Sequence, residues 1–240
     1  MTHNGRQSSP NKGKESTSLF LLNIYKSFPE GLAAMASLDR KDLYLTLGRL
    51  VQRARGGNWI KALADEWGLL VEKVRIKEGY EGTDQHYSCL QELLAAIEND
   101  LLDEEKFNLL KKIMIVTATE EVYDRESVKP LQFMRIARSL DSGGILVLFA
   151  TYKIMQKKEL WDGDQRILAN WLGKVAKESG LGYKDLVMQF EESLIKKGLL
   201  TPWIGDGRYE IQDSKLYRLT GLGHAFCEYV DHYEIILRQK

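Results

Sequence analysis

The chain is sparing with the residues that staple, break or charge a fold. Its two cysteines, Cys89 and Cys227, stand far apart, with no CxxC spacing and no disulfide framework. Reduced thiols in a cytosolic protein are the expectation. Only four prolines occur, at positions 10, 29, 130 and 202, so long helices are permitted through most of the 240 residues. Net charge is absent too: 34 Lys+Arg balance 34 Asp+Glu, which argues against a protein whose main task is coating nucleic acid or an anionic membrane. The apolar runs at 19–25 and 145–154 are short, the longer reaching about 15 Å as a helix against roughly 30 Å of hydrocarbon. There is no GxxxxGK[ST] and no GxGxxG. No period of 20–50 residues recurs, and strand-like alternation is missing until the final third. The polar, Gly/Ser/Pro-bearing start reads as a disordered tail over residues 1–15 of a cytoplasmic chain without a signal peptide.

What is present is helical periodicity. A short buried helix is expected over 18–28, ended by Pro29-Glu30-Gly31. Ser37 can cap a helix over 38–54, with Leu43, Leu47, Leu50 and Val51 on one face. Ile60, Leu63, Trp67, Leu70 and Val74 form a 3-4 stripe, and Tyr87, Leu90, Leu94, Ile97 and Leu101 form another. Asp103 is placed to cap a helix through Phe107, Leu110, Met114 and Thr117, with Glu104 and Glu105 against its dipole. Residues 120–129 read as a loop, and Pro130 opens a helix to Leu140. After Asp141-Ser-Gly-Gly144, the segment 145–155 is apolar nearly all round and is expected to be the most buried helix. Packing explains every stripe. A dimerising coiled-coil hairpin is weaker, because each stripe is only about two heptads long.

The last hundred residues change grammar. Helices are expected over 165–179, capped by Asp164, and over 183–197, joined by the glycine-bearing turn Gly180-Leu-Gly-Tyr183. Leu186, Phe190 and Leu194 are the expected core face of the second. Lys197-Gly198 stops it, Leu199-Leu200 begins an edge strand limited by Pro202, and Gly205-Asp-Gly207 makes a turn. An alternating run over 209–219 returns to Thr220-Gly-Leu-Gly223, which opens a closing helix with Leu222, Phe226, Tyr229 and Tyr233 on one side. Helix, turn, helix, hairpin, helix is the order of a winged helix-turn-helix module. The expected fold is therefore mainly α: a helical bundle over 16–140, then a winged-helix domain with a small β-hairpin over 142–240.

The stretch SLIKKGLL…DGRYEIQDSKLYRLTGLGHAF, residues 193–226, resembles the second half of many bacterial winged-helix domains, where a KGL helix end, a short hairpin and a Y-x-LT-x-LG motif recur. A helical region followed by such a domain is also similar in layout to the bacterial Abi-alpha (abortive-infection, phage-associated) proteins. That resemblance implies a non-enzymatic, defence-related role.

The outer face expected for the second helix carries Lys184, Asp185, Met188, Gln189, Glu192, Ser193 and Lys196, with no arginine. Readers of DNA normally offer Arg, Lys, Asn and Gln to bases and phosphates. Each acid here weakens the electrostatic attraction that dominates DNA affinity. Arg208 at the wing tip, with Lys215 and Arg218 nearby, could still grip phosphates. The expected contact set is Lys184, Met188, Gln189, Trp203, Arg208 and Lys215, with Trp203 an exposed anchor beside Pro202. A protein partner or self-association is the first reading. A DNA-binding transcription regulator, with the helical region as dimerisation or sensor domain, is the alternative.

Other constellations have plainer explanations. His224, Glu228 and His232 at i, i+4, i+8, with Asp231, could hold Zn²⁺ or Fe²⁺, but read as a solvated helix face. Cys89 beside His86 lacks an orienting third group and reads as packing. Asp162-Gly-Asp164 lacks the remaining ligands of a calcium loop. Arg49, Arg53 and Arg55 complement a helix C-terminus. Of the tryptophans, Trp59, Trp67, Trp161 and Trp171 are expected in the core. No cofactor, metal or catalytic residue is assigned.

Overall fold

Short polar side chains open the helices where capping chemistry puts them. In the computed structural model, residues 58–59, 62–63, 65–66, 77, 80, 83–100, 102–119, 129–157, 170–202 and 218–238 are described. They are mainly helical: α1 Asp84–Asn99, α2 Glu104–Thr119, α3 Lys129–Ser139, α4 Ser142–Gln156, α5 Trp171–Glu178, α6 Lys184–Lys196 and α7 Gly221–Arg238. Thr83 accepts from His86 N–H at 3.1 Å and Asp103 from Lys106 N–H at 3.0 Å, capping α1 and α2. Asp141 accepts from Gly144 N–H at 2.6 Å and Thr220 from Gly223 N–H at 2.9 Å, capping α4 and α7. Each such bond satisfies an otherwise orphaned amide and contributes about 1 kcal/mol.

The chain divides into two compact units. One comprises Met1–Asp100 with Ala118–Glu121, the other Leu101–Thr117 with Val122–Lys240. In the first, α1 buries Cys89, Leu90, Leu93, Leu94 and Ala96, together with His86. The expected stripe is thus corrected by a small rotation: Leu90 and Leu94 are buried, while Tyr87 and Ile97 lie at the margin. Tyr80 packs edge-on against the His86 ring at 5.1 Å, closing the start of the helix. Leu63, from the preceding stripe, is also buried.

The second unit is built around α4. Its sequence is apolar nearly all round, and residues from Gly144 to Met155 are buried on most sides. It packs against α5, α6 and α7, while α5 packs against α6. Ser142 at its start donates to the Asp103 carboxylate that caps α2, so the two helix N-termini share one acid. Helix α7 buries Gly223, Phe226, Cys227, Val230 and Tyr233. Phe226 meets Phe133 of α3 edge-on at 5.5 Å, and Tyr229 hydroxyl lies 2.8 Å from Thr117 of α2.

Leu222, expected on the buried side of α7, is instead 45% exposed. The reason is Gly223. A Cβ there would stand 2.1 Å from the Leu199 carbonyl oxygen, so the glycine marks the closest approach of α7 to the chain leaving α6. Backbone contact at that point turns Leu222 outward.

Among the described residues there is no strand, only an isolated antiparallel bridge between Leu200 and Leu219. Thr201 N–H donates to Arg218 C=O at 3.0 Å and Thr220 N–H to Leu199 C=O at 3.1 Å. These two bonds flank the Leu200–Leu219 pair, which makes it a close, non-hydrogen-bonded pair. The expected helices over 18–28 and 38–54, the arginines at 49, 53 and 55, and the turn over 205–207 lie outside the described residues. No helix among the described residues is long and apolar enough to cross a membrane.

Candidate functional site

Helices α5 and α6 are joined by residues 179–183, with Gly180 and Gly182 both in the left-handed region. The exit of α6 is equally defined. Gly198, at φ 71°, donates to Ile195 C=O at 2.9 Å, and Leu199 N–H reaches back to Leu194 C=O at 3.0 Å. This is a Schellman termination, closed by the buried pair Leu194 and Leu199. It delivers the chain directly into the Leu200–Leu219 bridge.

The inner face of α6 is Val187, Glu191 and Leu194. Leu186 and Phe190, expected in that role, are displaced from it: Leu186 is 38% exposed and Phe190 lies at the margin. The helix is rotated by one position because a carboxylate occupies the core. Glu191 is 6% exposed and Arg218 only 2%. Arg218 Nη2 donates to Glu191 Oε2 at 2.7 Å, and Trp171 Nε1 donates to Glu191 Oε1 at 2.7 Å. Arg218 Nη1 donates to Thr201 C=O at 2.8 Å, and its guanidinium lies 5.9 Å from the Trp171 ring centroid.

Arg218 is therefore not available to phosphates, which corrects its expected place beside the wing. Both charges are covered by an ion pair and by directed hydrogen bonds, the condition under which a buried charge is tolerated. Sequence reading missed this cluster because an acid at a core position signals nothing by itself. The Arg that neutralises it comes 27 residues later.

Opposite the buried face, Lys184, Asp185, Met188, Gln189, Glu192 and Lys196 are exposed. The 4-3-4 spacing of Asp185, Gln189, Glu192 and Lys196 makes a polar stripe, with Leu186 and Met188 on its two flanks. Met188 is 47% exposed, and Tyr183, immediately before the helix, is 72% exposed. The structure thus brings three of the expected contact residues, Lys184, Met188 and Gln189, onto one solvent-facing helix. Trp203, Arg208 and Lys215 lie outside the described residues.

The remaining candidates resolve into packing and surface. Cys89 and His86 are both fully buried. Burial, then the Glu92 charge, pushes the Cys89 thiol up to about 12, and burial lowers His86 to about 4. Both shifts disfavour the thiolate–imidazolium pair that a nucleophile would need. Cys227 is also buried, its thiol pushed up by desolvation and by Asp231. His224 Nδ1 lies 3.6 Å from Glu228 Oε2, and the His224 ring meets Tyr152 of α4 edge-on at 5.7 Å. Among the described residues no three His, Cys, Asp or Glu side chains are grouped to hold a metal ion. Trp171 is buried as expected of a core tryptophan. No protein-family model, curated protein or solved structure matches this chain.

Proposed function

We propose that this is a non-enzymatic interaction or regulatory protein that presents the outer face of α6 to a protein partner, on a winged-helix scaffold. The observation that carries the reading is the make-up of that face. Tyr183, Leu186 and Met188 are exposed at 72%, 38% and 47%, among Asp185 and Glu192. Exposed aromatic and methionine side chains are the residue types that anchor protein contacts. The acids beside them oppose a phosphate array, and Arg218, withdrawn into the core, is one cation fewer for such an array to meet.

The scaffold reading is supported by α4, α5 and α6 packing on one another and by the antiparallel bridge that follows α6 directly. A setting in bacterial phage defence rests on the resemblance of residues 193–226 and on the overall layout. The experiment is site-specific photo-crosslinking from position 189 of the full chain in its source organism. Protein adducts that disappear with L186E/M188E support the reading. Nucleic-acid adducts, joined by a duplex shift that weakens steeply with salt and is lost in Arg208→Ala, would replace it with a transcription regulator. Absence of any adduct would refute a role for this face.

A further inference from the structure

We infer that the partner of the outer face of α6 is a second copy of this chain, docked with its own α6 antiparallel to the first. The inference rests on the reading of that face as a protein-contact surface and names its occupant. Asp185, Gln189, Glu192 and Lys196 are all exposed and follow one another at intervals of four, three and four residues. That is the spacing of a helix–helix seam. One point on α6, between residues 190 and 191, halves both the 185–196 and the 189–192 intervals. A two-fold axis crossing the helix there at right angles sets Asp185 against Lys196 of the second copy, and Gln189 against its Glu192. By symmetry each pairing occurs twice.

Charge fixes the direction of the pairing. In the antiparallel arrangement every layer of the seam is complementary: an acid meets a lysine at either end, and between them a carboxamide N–H donates to a carboxylate. A parallel arrangement would set Asp185, Glu192 and Lys196 each against its own copy, and like charges so opposed are costly. Exposed ion pairs contribute little affinity, so these groups choose the orientation rather than supply the hold. The hold comes from Leu186 and Met188, 38% and 47% exposed on the two flanks of the seam, whose apolar surface the second copy covers. Helix α6 has 13 residues and is about 20 Å long. So short a seam makes a dimer that exchanges with its monomer in the micromolar range.

The test is sedimentation equilibrium of the purified full chain at low salt, beside D185K, K196D and the double variant D185K/K196D. The parent is expected to show a monomer–dimer equilibrium. Each single variant sets like charges together at both ends of the seam and should weaken the dimer about tenfold. The double variant restores opposite charges and should return to within about threefold of the parent. Thermal melting, well below the dissociation constant, separates this from a local role. Asp185 and Lys196 also complement the dipole at their own ends of α6, so stability should be lowest in the double variant, in which association is regained. A parent that stays monomeric up to about 0.2 mM overturns self-pairing. Adducts from position 189 to a different protein would then leave the contact reading intact, whereas adducts to nucleic acid alone would remove both. A dimer indifferent to the single variants, or a double variant that associates no better than they do, also overturns the inference.

Discussion

Glu191 and Arg218 meet at 2.7 Å in a place almost closed to solvent, and Trp171 donates to the carboxylate's other oxygen at the same distance. Hydrogen bonds to a buried charge are worth more than neutral ones. Trp171→Phe removes the indole donor and also shrinks the buried ring system, so it should cost at least about 1.5–3 kcal/mol. Urea unfolding followed by circular dichroism checks this, and a cost below about 0.5 kcal/mol would show that the donor is replaceable.

Two glycines around the same turn should fail for different reasons. Gly223→Ala would drive a methyl to 2.1 Å from the Leu199 carbonyl oxygen, a contact with backbone that cannot rotate away. The expected loss is about 2–3 kcal/mol, with the Leu200–Leu219 bridge loosened. Gly198→Ala meets open space but keeps φ at 71°, so its loss should be nearer 1 kcal/mol and leave the bridge intact. Denaturation midpoints of the two variants, compared side by side, decide the ranking.

Acid sensitivity should appear between pH 6.5 and 4. Burial holds the His86 folded pKa near 4, below its unfolded value of 6.5, so in this window the unfolded chain binds the extra proton. His86 therefore contributes full stability above pH 6.5, and stability falls as pH drops towards 4, by up to about 3 kcal/mol. Asp103 acts at lower pH. Burial raises its pKa, but the hydrogen bonds from Ser142 and from Lys106 N–H, with the Lys106 charge, prevail and lower it. Its contribution is present above the ordinary carboxylate pKa and is lost as pH falls through the lower folded value. Unfolding free energies at pH 7, 5.5 and 4.5 test the first window, where His86→Leu should flatten the slope. An unchanged slope would assign the sensitivity elsewhere.

Both thiols should be silent in the native protein. Cys89 and Cys227 are inaccessible, and burial pushes both away from the thiolate. A chromogenic disulfide reagent at pH 8 should titrate no thiol in the folded chain and two after denaturation. Fast titration of either in the native state would contradict the burial described for it.

Sequence was sufficient wherever the decisive partner is close along the chain. Asp103 caps the helix it immediately precedes, and the apolar run at 145–155 signals a helix buried on most sides without reference to anything else. Gly198 likewise ends α6 because the left-handed residue and the carbonyls it serves lie within one turn. The errors arise where a distant residue changes what a position can tolerate. Glu191 has no place on either face expected for α6, and its burial beside Arg218 moves the core of that helix away from Leu186 and Phe190. Arg218 in turn reads as a surface cation among other basic residues near the hairpin. Leu222 looked like core because periodicity cannot anticipate that a backbone will pass against Gly223. Of the contact set, Lys184, Met188 and Gln189 were legible as solvent-facing because exposed helical positions follow from the opposite face even when that face is off by one.

Helix α4 has a mechanical consequence. Because it serves as common wall to α5, α6 and α7, none of those three can detach without uncovering leucine, valine and isoleucine side chains of α4. Damage to this central rod would thus spread to the surface of α6 while leaving every one of its outward residues chemically unchanged, so loss of binding in a variant of Val147 or Leu148 would report a collapsed support, not a missing contact.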